Sequence, residues 1–456
     1  MPLTPVARHW MLLGTVFALV SCTTPAVRCQ PAPPPPSSAT TPEFLATTDE
    51  VLHEMSEITG WKLRSPLKKS IRSRAEIREY ILRQMDDEKD AQERYASARS
   101  GEAFGLFPKN FDLDHFLVDL LTEQIAGLYD PKTHEFYIAD WIAPDEQRMV
   151  MSHELTHALQ DQYFHIDPWV HAARPNDDAE LAREAVLEGS AMAGMLDYML
   201  RDKGLKLRDL PDVDPSLFVG DLSDTPMLKK APPFIKDSLL FPYFSGLSFC
   251  VGVLRTSGWS GFGAVFERAP ANTQQIMHPG LYRASKSPAP LKVDLPEGVP
   301  GKEWNKLEEN AMGEFGWMEI LKQFIDPELA KSVAEGWDGD DYICFEQKDT
   351  KHLVLATRER FNSDDTASRF FDAYAEALGD RYPVAHDAKR GKEFVSFVSE
   401  DGPVFLRCVA RECVSMQGAG PSAFLQWTKK LGWPAVSATP SNEPPKSAPT
   451  DIQTTN

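Results

Sequence analysis

Val150-Met151-Ser152-His153-Glu154-Leu155-Thr156-His157-Ala158-Leu159 contains the pattern H-E-x-x-H. In a helix, four residues turn through about 400°, so His153 and His157 project from one face, one turn apart. That is the spacing of two ligands on one metal. Glu154 lies roughly 60° from His157, where its carboxylate can orient a water and take its proton. Met151, Leu155, Ala158 and Leu159 form an apolar stripe on the far side, so one face is expected to pack while the other opens to a cleft. The plainer alternative is a pair of histidines on an ordinary buried helix.

Upstream, Pro144, Asp145 and Glu146 make a good first turn, because Pro tolerates the first helical position and acids favour the positive end of the helix dipole. The helix is expected to run to about Phe164. Before it, Ile125 to Tyr129, the turn Asp130-Pro131-Lys132-Thr133, and Glu135 to Ile138 read as a hairpin. Further back the signals are helical. Leu113 to Gln124 carries Phe116, Leu117, Leu120 and Leu121, while Ser73-Arg74-Ala75-Glu76 reads as a capping box opening another helix. The charged run Asp86 to Arg94 reads as a solvated face.

Downstream, a catalytic zinc needs a third protein ligand. The spacing H-E-x-x-H-x-x-G-x-x-H is excluded, since Gln160 and Tyr163 stand where Gly and His are required. The remaining candidates are His165, His171, Asp177, Asp178, Glu180, Glu184 and Glu188. A second helix is expected from near Asp177-Asp178, and on it Glu184 and Glu188 share a face. Gly189-Ser190-Ala191 are small residues expected to let this helix approach the histidine helix closely. Asp161 lies on the histidine face, either as a partner that orients a ligand or as a plain helix acid.

Leu187-Glu188-Gly189-Ser190-Ala191 after H-E-x-x-H resembles the glutamate-ligand motif of the gluzincin metallopeptidases. The resemblance implies one zinc ion per chain, with His153, His157 and Glu188 as ligands and Glu154 as general base; Glu184 stays open as an alternative ligand. The wider segment Leu121 to Phe164 is similar to a poorly characterised family of exported bacterial H-E-x-x-H proteins, and that similarity extends to about Tyr342. Pro270 to Tyr282 is similar to the corresponding segment of the same family. Gluzincins commonly place a Tyr or His downstream of the ligands to face the oxyanion, which makes His278 and Tyr282 the candidates here.

The rest of the chain carries less chemistry. Asp202 to Pro233 reads as loops, and Ser238 to Leu254 as an apolar helix of the core continuing to Gly258-Trp259. Trp304 to Gln323 and Pro327 to Glu335 read as helices. From Gly336 the pattern changes to a small α+β module. Its strands are expected at Tyr342 to Phe345, His352 to Thr357, Phe394 to Val398 and Val404 to Val409, and its helices at Asp364 to Leu378 and near Ser422 to Leu431. A two-residue turn at Ala410-Arg411 would set Cys408 opposite Cys413 for a disulfide. The other cysteines are too few and scattered for a disulfide framework.

At the N-terminus, Arg8, His9 and the apolar run Trp10 to Val20 read as a signal peptide, too short to span a bilayer comfortably. Leu19-Val20-Ser21-Cys22 resembles the lipobox of bacterial lipoproteins, which implies a lipid on Cys22; plain secretion is the alternative. The net charge of −19 argues against nucleic acid or anionic lipid as the main partner. The expected organisation is a signal peptide (1–21), a Pro-rich tether (22–48), a zincin-like, mainly helical catalytic domain with a hairpin beside its active-site helix (49–335), an α+β module (336–433) and a disordered tail (434–456). The expected function is an exported zinc peptidase acting on peptides or proteins. The alternative is an inactive zincin-fold binding or scaffold protein of the cell envelope.

Overall fold

In the computed structural model, which describes residues 41–86, 88–211 and 225–435, the chain is α+β and divides into two units. One unit takes the described residues up to Ala289 together with Glu308–Gln323; the other takes Pro290–Leu307 and the residues from Phe324 onward. The expected signal peptide, Cys22, most of the tether and the tail beyond residue 435 lie outside the described residues.

The first unit begins with α1 (Pro42–Thr59), β1 (Lys68–Arg72), α2 (Arg74–Met85), α3 (Glu88–Phe104) and α4 (Leu113–Gln124). The hairpin β2 (Gly127–Asp130) and β3 (Glu135–Ala139) follows, then α5 (Pro144–Phe164), α6 (Ile166–His171) and α7 (Asp177–Leu200). After them come α8 (Pro226–Lys230), α9 (Pro233–Phe262) and the short helices α10 (Ala264–Glu267), α11 (Thr273–Met277) and α12 (Pro279–Arg283). Local chemistry starts several of these elements. Ser73 Oγ accepts from the Glu76 N–H and Glu76 returns a bond to the Ser73 N–H, closing the expected capping box of α2. Asn176 caps α7 through the Ala179 N–H.

The tether expected to reach residue 48 stops sooner. Thr41 accepts from the Phe44 N–H and Pro42 fills the first turn, so α1 starts inside the Pro-rich stretch and buries Phe44, Val51, Leu52 and Met55. The expected hairpin is present, but the sheet has three strands in the order β1-β3-β2, with β1 parallel to β3. Lys68–Arg72 has no apolar alternation to announce it, because only Ile71 is apolar there.

Helix α5 sits among α1, α7, β2 and β3, and its middle, residues 150–161, is buried on every side. Met151, Leu155, Ala158 and Leu159 are fully enclosed as expected, but so are His153 and Glu154. The expectation of a face open to a cleft therefore fails, because β2 and α7 cover the histidine face. Helix α7 is in turn held between α5 and α9. Helix α9 is long and apolar enough to cross a bilayer, yet it packs on α7 and buries Phe241, Tyr243, Leu247, Phe249 and Cys250, in keeping with the expected core helix. It kinks at Gly258, where φ is 59°.

Trp304 to Gln323 is not one helix. It divides into β4 (Trp304–Asn310) and α13 (Gly313–Lys322). Gly313 at the junction has φ 69°, and a Cβ there would lie 2.0 Å from the Asp178 carboxylate, so the turn between strand and helix depends on glycine.

The second unit also starts earlier than residue 336. It holds α14 (Pro327–Ala334), β5 (Trp337–Gln347), β6 (Leu353–Phe361), α15 (Asp364–Arg381), β7 (His386–Arg390), β8 (Phe394–Ser399), β9 (Gly402–Val409), β10 (Glu412–Gln417) and α16 (Pro421–Lys430). Its seven-stranded sheet has the order β4-β5-β6-β10-β9-β8-β7, and the early boundary follows from β4 joining its edge. Along β10 the side chains alternate. Val414 and Met416 join Phe424 and Trp427 of α16 in one core, while Gln417 donates to Tyr374 of α15 on the other face. Cys413 pairs in register with Cys408 and is disulfide-bonded to it across the expected turn.

Candidate metal centre

Two helices bring the centre together. Helix α5 presents His153 and His157 one turn apart, and α7 crosses beside it with Glu188. His153 Nε2 lies 3.2 Å from His157 Nε2 and 3.2 Å from Glu188 Oε2, and the remaining edge, His157 Nε2 to Glu188 Oε2, is 3.5 Å. Among the described residues this is the group of three His, Cys, Asp or Glu side chains whose donor atoms converge as metal ligands do.

Those distances test the fit. Zinc binds His nitrogen and carboxylate oxygen at about 2.0–2.2 Å in a tetrahedron, whose edges are then about 3.3–3.6 Å. The three edges match one face of such a tetrahedron. The charges agree as well. Burial pushes the Glu188 carboxyl up, but His157 and His153 outweigh it and bring its pKa down to about 2. Burial takes His153 down to about 4. For His157 burial again lowers the value, but Glu188, Glu154 and Gln160 together raise it above the ordinary histidine range. Glu188 is thus ionised at neutral pH, the form a dication requires of a carboxylate ligand.

Glu154 is fully buried beside the pair, and its Oε2 accepts the Tyr129 backbone N–H at 2.9 Å. The contact depends on Gly127, whose added Cβ would lie 2.5 Å from Val150 Cγ1 and 3.2 Å from Glu154 Cγ. The outer edge of β2 is therefore turned onto the base. Asp161 has an orienting role, though toward β2 and β3 rather than a histidine of α5. It accepts from the Tyr129 hydroxyl at 2.8 Å and from the Ile166 N–H at 3.1 Å, and it lies 3.0 Å from His134 Nδ1.

The other candidate ligands go elsewhere. Glu180 forms a two-pronged pair with Arg174, and Asp178 accepts from the Thr273 N–H at 3.1 Å. His165 turns the chain between α5 and α6 with φ 51°, and His171 faces Asp167 at 3.5 Å. Glu184, one turn before Glu188, is buried away from the converging atoms. The small residues after Glu188 also divide their work differently from expectation. Gly189 faces α9, where a Cβ would lie 2.1 Å from the Gly246 carbonyl carbon, because successive residues turn about 100° around the helix. Ser190 and Gly194 are the ones that meet α5, at Gln160 and Thr156.

His278 and Tyr282 are not brought into this group. His278 Nε2 is 2.6 Å from Glu314 Oε1, and the Tyr282 hydroxyl donates to the Arg268 carbonyl at 2.7 Å while its ring stands edge-on to Phe249. A tyrosine that does meet a triad histidine is Tyr243, whose ring stacks on His153 at 6.3 Å. In the sequence Tyr243 lies in a run that reads as apolar core, and no spacing rule links it to residue 153. Tyr129 and His134 escaped for the same reason, since the contacts that tie them to Glu154 and Asp161 span more than 20 residues.

Comparison with known proteins adds one finding. A family described only as a domain of unknown function (DUF8575) matches residues 303–414, well under half of the chain and outside His153, Glu154, His157 and Glu188. No curated protein and no solved structure matches the chain.

Proposed function

We propose that this chain is a zinc-dependent peptidase of zincin type, hydrolysing peptide bonds with Glu154 as general base. The observation that supports it most is the tetrahedral face formed by His153, His157 and Glu188 beside a carboxylate that is not a ligand. A purely structural metal site has no need of that carboxylate. A zinc ion bound there supplies a Lewis acid that polarises a carbonyl and makes water more acidic.

The chain's own residues do the rest. Glu154, held by the Tyr129 N–H, takes a proton from water at its carboxylate and passes it to the leaving amine. Because that N–H is committed to the base, β2 positions Glu154 instead of offering this part of its edge to a peptide. His278 Nε2 and the Tyr282 hydroxyl are engaged with Glu314 and the Arg268 carbonyl, so neither is given a step. Export, with or without lipid on Cys22, belongs to the proposal and would place the enzyme at the bacterial envelope.

Enclosure of the centre favours the second reading, a non-catalytic zincin-fold binding or scaffold protein: His153 and Glu154 are fully buried, and Glu188 keeps 15% of its side chain exposed. Glu154→Gln separates the two. On a peptide library from a digested bacterial proteome, the variant is expected to keep its zinc and lose about 10²–10⁴-fold in cleavage rate. Equal cleavage by both forms would end the mechanism. No cleavage by either form, with zinc bound, would favour the scaffold.

A further inference from the structure

Gln160 stands three residues after His157, at the position where the sequence lacks the glycine of another zinc-peptidase class. It is completely buried. We propose that Gln160 is a positioning residue of the metal centre: through Ser190 it fixes which nitrogen of His157 faces the ion, and it couples that ligand to the helix carrying Glu188. The inference rests on the metal reading above.

The Val186 carbonyl can only accept, and the Ser190 hydroxyl donates to it at 2.6 Å. With its hydrogen committed, Ser190 Oγ faces Gln160 with lone pairs and accepts the Gln160 amide N–H at 2.7 Å. The nitrogen end of that amide is therefore turned to α7, and its oxygen is turned to α5. Gln160 Oε1 lies 3.1 Å from His157 Nδ1, and an amide oxygen cannot donate, so Nδ1 must carry a proton. This holds whether the ring is neutral or charged. Nε2 is then the atom left for a metal, and it is the one pointing at His153 and Glu188.

A reversed amide would place its N–H₂ against Nδ1 and move the ring proton to Nε2, in the metal's place. Ser190 prevents this. The residue that sets the direction lies two positions beyond Glu188, so one chain of bonds holds both ligand-bearing helices in register. Histidine ligands are commonly oriented by a carboxylate, a carbonyl or water. Here a neutral amide does it, and its direction is set from the partner helix.

The test is zinc binding by the metal-stripped full chain, read by competition with a chromophoric chelator, together with the visible spectrum of the cobalt(II)-loaded protein. Gln160→Leu is expected to weaken zinc binding by about 10–100-fold and to shift the cobalt bands. Gln160→Glu restores an acceptor for Nδ1–H, its second carboxylate oxygen takes the Ser190 hydroxyl hydrogen from the Val186 carbonyl, and both readings are expected to return to near wild type. Ser190→Ala keeps the acceptor but releases its direction, and is expected to lie between. Unchanged affinity and spectrum in Gln160→Leu, or a loss in Gln160→Glu as large as in Gln160→Leu, would overturn the proposal. If Gln160→Leu does not fold, unchanged affinity and spectrum in Ser190→Ala overturns it, and a loss supports it. A wild-type chain that takes up no zinc would overturn the metal reading itself and this inference with it.

Discussion

Glu184 and Glu188 are one turn apart on α7, and sequence alone left both as the third ligand. The helix rule says only that they share a face; which carboxylate reaches the histidines depends on how α7 crosses α5. Glu188 turns toward them. Glu184 is buried with neither carboxylate oxygen hydrogen-bonded among the described residues, and burial, followed by the charges of Glu180, Glu188 and Asp177, pushes its pKa well above the ordinary glutamate value. The folded chain thus holds a proton on Glu184 that the unfolded chain gives up. Stability from this group is complete below the unfolded glutamate pKa and is lost as pH rises through the raised folded value. In the metal-free chain, Glu184→Gln removes that loss. Its melting temperature is expected to match wild type near pH 4 and to rise progressively above it toward pH 8. A constant difference across that range would contradict the reading. His153, His157 and Glu154 were legible because four-residue spacing is local. Gln160, Tyr129 and Asp161 were not, because their roles arise only where α5 meets β2 and α7.

At the scale of elements, the helix that carries Glu188 depends on two glycines. A Cβ at Gly246 would lie 2.1 Å from the Ala185 carbonyl oxygen, and one at Gly189 a similar distance from the Gly246 backbone, so α7 and α9 touch through their main chains. Gly246→Ala forces them apart. The expected cost is about 1–3 kcal/mol by overpacking, seen in chemical denaturation, together with weaker zinc binding as Glu188 shifts. An unchanged denaturation midpoint would refute the close crossing. The long helices were readable from capping residues and apolar periodicity, and α4, α5 and α7 begin where their caps and prolines place them. Strands were harder. Lys68–Arg72 and His386–Arg390 are mostly polar edge strands that exist because a neighbour offers hydrogen bonds, and β4 looked helical until Gly313 divided it.

For the whole molecule, the division into two units separates the chemistry from the family match. Every residue of the candidate centre lies in the first unit, whereas the match to residues 303–414 falls mainly on the sheet and helix of the second. The change of pattern at Gly336 predicted two folded regions, but their boundary lies elsewhere because Pro290–Leu307 joins the later unit from a distance in sequence. Nothing local in that segment marks such a crossing.

The proposed chemistry depends on α5 and α7 together holding one zinc ion. Elemental analysis of the purified full chain, wild type beside Glu188→Ala and Glu184→Gln, tests it most directly. One zinc per chain is expected in wild type and in Glu184→Gln, and almost none in Glu188→Ala. A wild-type chain without zinc, or a Glu188→Ala chain that still holds a full equivalent, would contradict it.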